Sequence, residues 1–407
     1  MSAAPPFYLI ACGGTGGHLF PGIAVGEQLA ARGARVALVV SSKQVDQDAV
    51  RTVRDMEVWT LHGAQGTHGS LGRLLAGVRG WMQSMTELRS HLKADRPLAV
   101  LAMGGFTSAA PVVVGRLRGA RVVLHEANAI PGRATRWLSR MAHEALVFFP
   151  AAAERLSGVP TRVVGMPVRS QFEPGDAGSC RVLFGLDPVR PTVLIMGGSQ
   201  GARAINELFI QSLPFVAKRL PLLQFIHLAG PADASKSAEA CKAAGVKAVV
   251  KPFLTEMEWA LGAADLVVSR SGASSLAEFA AMQLPAVLIP LPNSADDHQR
   301  ANAEAFRSTG AAVVLEQASA TPEVLVDRLA TLLDSPASRQ RMRSALAGWH
   351  QESATQRVCD ALLKLADPEW LKQTELGGLG AIGAGLESNV FATEPAGRGG
   401  LGGFRKR

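Results

Sequence analysis

The sequence predicts an α/β protein made of two doubly wound halves. Three observations predict it. Strands and helices alternate along the chain, the alternation weakens once and then restarts, and each half opens with a glycine-rich turn directly after its first strand. Composition agrees: hydrophobic residues make up 47% and charged residues 19%, which leaves ample apolar material for a core. At about 150 residues per domain, 407 residues correspond to two or three domains. Aromatics are scarce, and Ala, Gly, Leu and Val carry the apolar mass, which suits parallel sheets with helices packed closely on both faces.

Short apolar runs at 7–12, 36–40, 98–103, 122–125 and 145–149 read as strands, and the amphipathic stretches 22–32 and 71–93 as helices. Pro, Gly, Asp and Ser accumulate over 160–179, which reads as the linker between domains. The rhythm then restarts, with strands at 192–196, 223–228, 248–251, 266–269 and 286–290 and a helix over 202–218. A helix over 353–365 closes the pattern. Beyond Pro368 the chain is Gly-rich and aperiodic, ends in Arg405-Lys406-Arg407, and is expected to be disordered. The resulting division is 1–168, 169–345, a closing helix within 346–366 and a tail over 367–407.

The net charge of +8 favours acidic partners such as phosphorylated ligands or anionic lipid. There is no dense Lys/Arg block before the last residues and no interleaving of basic with aromatic residues, so no nucleic acid is expected. Cys12, Cys180, Cys241 and Cys359 are scattered without a Cys-x-x-Cys pair, which argues against a metal site or disulfide framework and fits a reducing compartment. No signal peptide is expected at the N-terminus, and no apolar run reaches the ~18–20 residues that span a bilayer.

Three segments carry chemistry. The first is Gly13-Gly14-Thr15-Gly16-Gly17-His18, where glycines permit positive φ and close approach of backbone to ligand, and the next helix offers free N–H groups. A plain tight turn is the bland alternative. A dinucleotide fingerprint fails, because Leu19 stands where the third glycine belongs after Gly14 and Gly16, and Ser41-Ser42 stand where the ribose-binding acid belongs. The Walker pattern is absent as well. The second segment, Gly197-Gly198-Ser199-Gln200-Gly201-Ala202, repeats the design in the second half. The third runs from Ser269 to Glu278 and places a hydroxyl-rich loop at a helix start, a cradle for diphosphate. Glu278 could accept hydrogen bonds from two ribose hydroxyls. The competing reading makes Ser274 or Ser275 the N-cap and Glu278 its capping-box acid.

Together with Gly104-Gly105-Phe106 and His125-Glu126-Ala127-Asn128, these motifs resemble the MurG family of glycosyltransferases, in order, over about residues 7–365. The resemblance implies the glycosyltransferase-B fold: two Rossmann-like domains facing a deep cleft, with a final helix crossing back to the first. It implies inverting transfer of N-acetylglucosamine from UDP-N-acetylglucosamine to the C4 hydroxyl of the muramyl unit of lipid I, giving lipid II and UDP. It also implies the site residues. Leu254 presents backbone to uracil, Arg169 lies near it, and Glu278 holds the ribose. Ser199, Ser274 and Ser275 contact the diphosphate, with Thr15, Gly16 and Gly17 on the same side. Asn128, His298 and Gln299 reach the sugar. No cofactor and no metal are expected; arginine and helix dipoles would stabilise the leaving diphosphate. The sequence departs from the family at Met166 (commonly Asn), Phe106 (commonly Tyr) and His298 (commonly Gln).

Displacement at the anomeric carbon requires a base, and His18 is the first candidate, with a pKa ordinarily near ~6.5. A histidine that caps its helix or bonds backbone is the alternative. Glu126 is the second candidate, though it could instead orient its loop. Asp46-Gln47-Asp48 matches a metal-binding D-x-D pattern but is read as a chance match, in a polar segment away from the cleft motifs.

Leu71, Leu74, Leu75, Val78, Trp81 and Met82 repeat at helical spacing with Arg73, Arg79 and Arg89 among them, and Arg116, Arg118 and Arg121 could extend the basic surface. Such a stripe either packs on its own sheet or docks on anionic lipid. The expected setting is peripheral, on the cytoplasmic face of the cell membrane, with contacts to other cell-wall enzymes. The rival readings are another lipid or natural-product glycosyltransferase of this fold, a UDP-sugar epimerase, and a non-catalytic sugar-nucleotide-binding protein. Intact His18, Asn128, Glu278 and Gln299 argue against the last.

Overall fold

The computed structural model describes residues 5–366, apart from Thr15, Thr52, residues 63–70, Ser199 and Gln200; for Val45 and residues 71–76 it describes the helical path alone. The tail over 367–407 lies outside the described residues.

The first sheet is parallel throughout: β1 (Phe7–Ala11), β2 (Arg35–Ser41), β3 (Glu57–Leu61), β4 (Ala99–Ala102), β5 (Arg121–Glu126), β6 (Glu144–Val147) and β7 (Thr161–Val163), in the order β3-β2-β1-β4-β5-β6-β7. The second is also parallel: β8 (Thr192–Met196), β9 (Gln224–Leu228), β10 (Ala248–Lys251), β11 (Leu266–Ser269), β12 (Ala286–Leu288) and β13 (Ala312–Val314), in the order β10-β9-β8-β11-β12-β13. Strands β1, β4, β8 and β11 are buried along their whole length, as continuous apolar runs between two helical layers must be.

Each order reverses once, between β1 and β4 in the first sheet and between β8 and β11 in the second. Connections leave in opposite directions at such a point, so a crevice opens beyond the carboxyl ends of the strands. All three chemical segments of the sequence sit there, after β1, β8 and β11.

Strands β3, β7 and β13 were not expected from the sequence. Thr161, Arg162 and Val163 are partly or fully exposed, so the β7 edge carries no hydrophobic pattern and lies inside the segment read as linker. The linker also ends in a helix, Ala177–Leu183, whose Asp176 cap accepts from the Ser179 N–H at 2.7 Å. Helix α1 (Gly16–Ala31) begins six residues before the amphipathic pattern does, through glycines and Pro21. Packing against β1 overrides that weak propensity: a Cβ on Gly22 would lie 2.4 Å from the Cys12 Cβ.

The halves are joined at several levels. The closing helix Ala354–Ala366 lies on α1, where Asp360 pairs with Arg32 at 2.8 Å. Phe148 and Phe149, after β6, form one aromatic cluster with Phe306 and Trp349, and the last two rings stack at 4.6 Å.

Candidate active site

The first glycine turn is shaped by close approach. A Cβ on Gly13 would lie 2.4 Å from the Ser41 nitrogen, so only glycine lets β1 turn against the end of β2. Gly14 has φ +112°. Thr107 closes the other side, its hydroxyl donating to the Gly13 carbonyl at 2.5 Å.

The start of α1 faces the second half. Pro21 has no N–H, so the carbonyl four residues earlier, on Gly17, lacks its intrahelical donor. Ser274 supplies one from across the cleft, its hydroxyl donating to the Gly17 carbonyl at 2.9 Å. The Ala273–Ala281 helix that carries Ser274 is preceded by Gly272 as N-cap, with no side-chain cap. This corrects the capping alternative: neither Ser274 nor Ser275 is the N-cap, and Glu278 lies too far along the helix to complete a capping box.

Phe20, Pro21, Pro167, Val168, Arg169, Ser274 and Glu278 line one narrow pocket at this junction. The Arg169 guanidinium sits between the Phe20 and Phe172 rings, 4.6 and 5.0 Å from their centroids. Burial raises the Glu278 carboxyl to about 7; Arg169 opposes the shift and Glu258 reinforces it. Leu254 is partly buried after β10, packed on the apolar cluster that includes Phe149, Phe279 and Phe306, beside the exposed Phe253. Met166 is buried in that same cluster.

His18 lies in the first turn of α1 with its ring beneath the Gly104-Gly105 turn. A Cβ on Gly104 would lie 3.0 Å from Nε2, and one on Gly105 3.2 Å from Nδ1. Enclosure lowers the imidazole pKa, while the carboxylates of Glu126 and Asp46 pull it back up. Glu126 is buried, and its carboxylate bonds within its own loop. Oε1 accepts from the Asn128 N–H at 2.9 Å and the Asn128 amide at 3.1 Å, and Oε2 from the Gly132 N–H at 3.1 Å. That geometry suits a brace. The neighbouring His125 faces Gly165 instead, with Nε2 3.0 Å from its carbonyl oxygen.

Asn128 connects the halves through Asn302, a residue the motifs do not include. Asn302 is fully buried; its amide nitrogen donates to Asn128 Oδ1 at 3.1 Å and to the Ser271 carbonyl at 3.2 Å, and its Oδ1 accepts from the Ala129 N–H at 2.8 Å. Its signal is faint: one helical turn after His298, on the same helix, His298–Ser308. His298 bonds the Ala295 carbonyl at 2.7 Å, and Gln299 Oε1 accepts from the Leu291 N–H at 3.0 Å. The preceding loop holds Asn293, Asp296 and Asp297 at positive φ, a concentration of backbone strain beside the expected sugar contacts. Asp296 is tied to the first half by Arg136 at 2.7 Å and Arg133 at 3.4 Å.

Gly17, Arg169, Ser274 and Glu278 thus meet at one junction, Gly16 and His18 flank Gly17 in the first turn of α1, and Glu126, Asn128, His298 and Gln299 gather around Asn302. Ser275 lies beside Ser274, partly buried. Thr15 and Ser199 lie outside the described residues. Asp46 corrects an expectation, since it does not lie away from the cleft motifs. It is fully buried directly under the first glycine turn, where Oδ2 accepts from the Gly14 N–H at 2.6 Å. The reason is that β1 and β2 are neighbours, so the segment after β2 returns to the turn after β1.

The described part of α3 (Leu71–His91) divides the apolar stripe. Trp81 packs on the buried cluster around Leu88, Val100 and Val112, whereas Val78 and Met82 are about half exposed, 48% and 54%. The side chains of Leu71, Arg73, Leu74 and Leu75 lie outside the described residues. Among the described residues no helix is long and apolar enough to cross a membrane.

Two family models match the chain: the glycosyltransferase family 28 N-terminal domain over residues 8–147 and its C-terminal domain over residues 192–358. A UDP-N-acetylglucosamine–N-acetylmuramyl-(pentapeptide) pyrophosphoryl-undecaprenol N-acetylglucosamine transferase of Xylella fastidiosa is 37% identical over 88% of this chain and 96% of its own length. The protein of the same name from Anaeromyxobacter dehalogenans is 32% identical over 89% and 94%. The crystal structure of Acinetobacter baumannii MurG superposes with a TM-score of 0.66 at 27% identity, covering 88% of this chain and all of that one, which fixes the fold as glycosyltransferase-B. By sequence along nearly its full described length, and by the two matched domains, the chain belongs to the MurG family within glycosyltransferase family 28.

Proposed function

We propose that the protein transfers N-acetylglucosamine from UDP-N-acetylglucosamine to the C4 hydroxyl of the muramyl unit of lipid I, producing lipid II and UDP for peptidoglycan. The observation that carries the mechanism is the contact between Ser274 and the Gly17 carbonyl, which brings the glycine turn of one half against the hydroxyl-rich helix start of the other.

The residues divide the work. Glu278 binds the ribose, Leu254 and Arg169 the uracil side, and Ser199, Ser274, Ser275, Thr15, Gly16 and Gly17 the diphosphate. Asn128, His298 and Gln299 hold the sugar. His18 is the base: enclosure keeps its imidazole neutral near pH 7, ready to take a proton. The acceptor oxygen forms its bond to the anomeric carbon as the bond from that carbon to the diphosphate oxygen breaks; the hydroxyl proton goes to His18, and UDP leaves. Glu126 braces the loop that carries Asn128. The donor half begins at about residue 169, and the closing helix returns to the first half.

The acceptor is a lipid, which supports a peripheral position on the cytoplasmic face of the membrane, close to other cell-wall enzymes. Val78 and Met82, with exposed Leu117 and Trp137 and the arginines around them, are the surface that would meet anionic lipid.

The test is transfer of radiolabelled sugar from UDP-N-acetylglucosamine to a short-chain lipid I analogue, with UDP-glucose and UDP-N-acetylgalactosamine as rival donors. Product at the muramyl C4 position from the first donor is expected. UDP binding without transfer would overturn the acceptor assignment.

A further inference from the structure

Asp46 lies in α2 (Gln44–Val50), fully buried. Its Oδ2 accepts three hydrogen bonds: from the Gly14 N–H at 2.6 Å, the Ser41 N–H at 3.1 Å and the Ser41 hydroxyl at 2.6 Å. Its Oδ1 is buried with no hydrogen-bond partner among the described residues. Lys43, just before the helix, donates to the Gly14 carbonyl at 3.0 Å. Gly14 is therefore held at its amide by a carboxylate and at its carbonyl by an ammonium.

A neutral acceptor would suffice to hold a turn. A buried carboxylate costs several kcal/mol in lost hydration unless its environment compensates, and here one oxygen gains no hydrogen bond among the described residues. The charge itself therefore needs a use. The group nearest the reaction that feels it is His18, which becomes imidazolium as it takes a proton. The charged and titratable groups acting on His18 come from four places: Glu126 at the end of β5, Asp46 on α2, His298 at the start of its helix, and Lys43. His125, beside Glu126, is near enough for the two imidazoles to oppose each other's protonation.

We propose that Asp46 is a positioning residue for the transfer: it fixes the Gly13-Gly14 backbone under the site and contributes the negative charge that stabilises the His18 imidazolium. This rests on the reading of His18 as the base. Lys43 is its counterweight, holding the opposite end of Gly14 with the opposite charge.

The experiment compares the full chain with its Asp46→Asn, Lys43→Met and His18→Asn variants. It measures kcat and KM for transfer to the lipid I analogue across pH, UDP affinity by calorimetry, and folding by thermal unfolding. Asn keeps an acceptor for Gly14 and removes the charge. Asp46→Asn is expected to lower kcat roughly tenfold or more, with UDP affinity within about twofold. Its acid limb moves to lower pH, because a carboxylate that favoured imidazolium is gone. Lys43→Met, at an exposed side chain, moves the limb to higher pH. A folded Asp46→Asn protein with unchanged kcat and an unmoved limb overturns the proposal. If Asp46→Asn does not fold, a limb in Lys43→Met that stays in place overturns it. An acid limb that survives in His18→Asn sinks the assignment of the base; the role of Asp46 in holding the turn is then decided by its kcat alone.

Discussion

The two halves share one architecture and differ in the charge placed behind their loops. In the first half the loop after β1 rests on a buried carboxylate, Asp46, and the loop after β5 on another, Glu126. In the second half the loop after β11 rests on a buried guanidinium. Arg270 donates to the carbonyls of Ile289 and Pro290 at 3.0 and 3.1 Å and to Gln317 Oε1 at 2.8 Å, three neutral oxygens. On the mechanism proposed above, the difference matches what each side would have to stabilise: an imidazole gaining a proton is favoured by negative charge nearby, and a leaving diphosphate by positive charge. A repeated fold supplies the crevice, and the residues under its loops give each wall its sign.

The largest effect is expected at Arg270. Arg270→Met strands two carbonyls and an amide oxygen in a buried site, at about 1–3 kcal/mol for each group left unmatched. A thermal midpoint several degrees lower and a large fall in kcat are expected; if both are unchanged, the second half does not depend on its cation. Next comes a matched pair of glycine substitutions. Gly104→Ala places a methyl 3.0 Å from His18 Nε2 at φ +107°, and kcat should fall roughly tenfold or more for about 1–3 kcal/mol of strain and displacement. Gly272→Ala meets open space at φ −65° and should leave kcat within about twofold. Equal effects on steady-state rates would mean that the loops are not differently constrained.

Glu278→Ala should weaken UDP binding by about 1–3 kcal/mol, the scale of hydrogen bonds to a charged group. Unchanged affinity in calorimetry would remove Glu278 from the ribose site. The same carboxyl sets a pH dependence. Raised to about 7, it is largely protonated below that pH and cannot accept from both hydroxyls, so UDP affinity should fall as pH drops through 7. The unliganded fold shows the opposite sign: the raised pKa contributes stability below the ordinary carboxyl range, lost as pH rises through about 7. Titrating UDP into Glu278→Gln should show no such slope. The smallest effect belongs to Asp296→Ala. Its arginine partners are exposed, so the loss is small and disappears in high salt. A loss of transfer that persists in salt would make Asp296 more than a latch.

Much of the fold was legible because a parallel sheet buried on both faces writes itself as short apolar runs. Strands β8 and β11 fall where those runs fall, residue for residue. The edge strand β7 leaves no such trace: Thr161, Arg162 and Val163 are held by pairing to β6, and nothing in their side chains announces it. The motifs were legible too, since glycine after a strand is a backbone requirement visible in one dimension. The support beneath them was not. Asp46 sits 32 residues from the Gly14 amide it binds, and Asn302 173 residues from the Ala129 amide.

The sequence by itself determined the two α/β halves, the glycine turns and the family, because periodicity, turn chemistry and motif order are local properties of the chain. The tertiary structure decided that Ser274 answers the carbonyl freed by Pro21, that Glu126 braces a loop, and that an aspartate of a chance-like pattern lies under the first turn. Those outcomes depend on which strands are neighbours and which charges share a buried space, and hydrogen bonding and desolvation act on distance in space, whatever the separation along the chain.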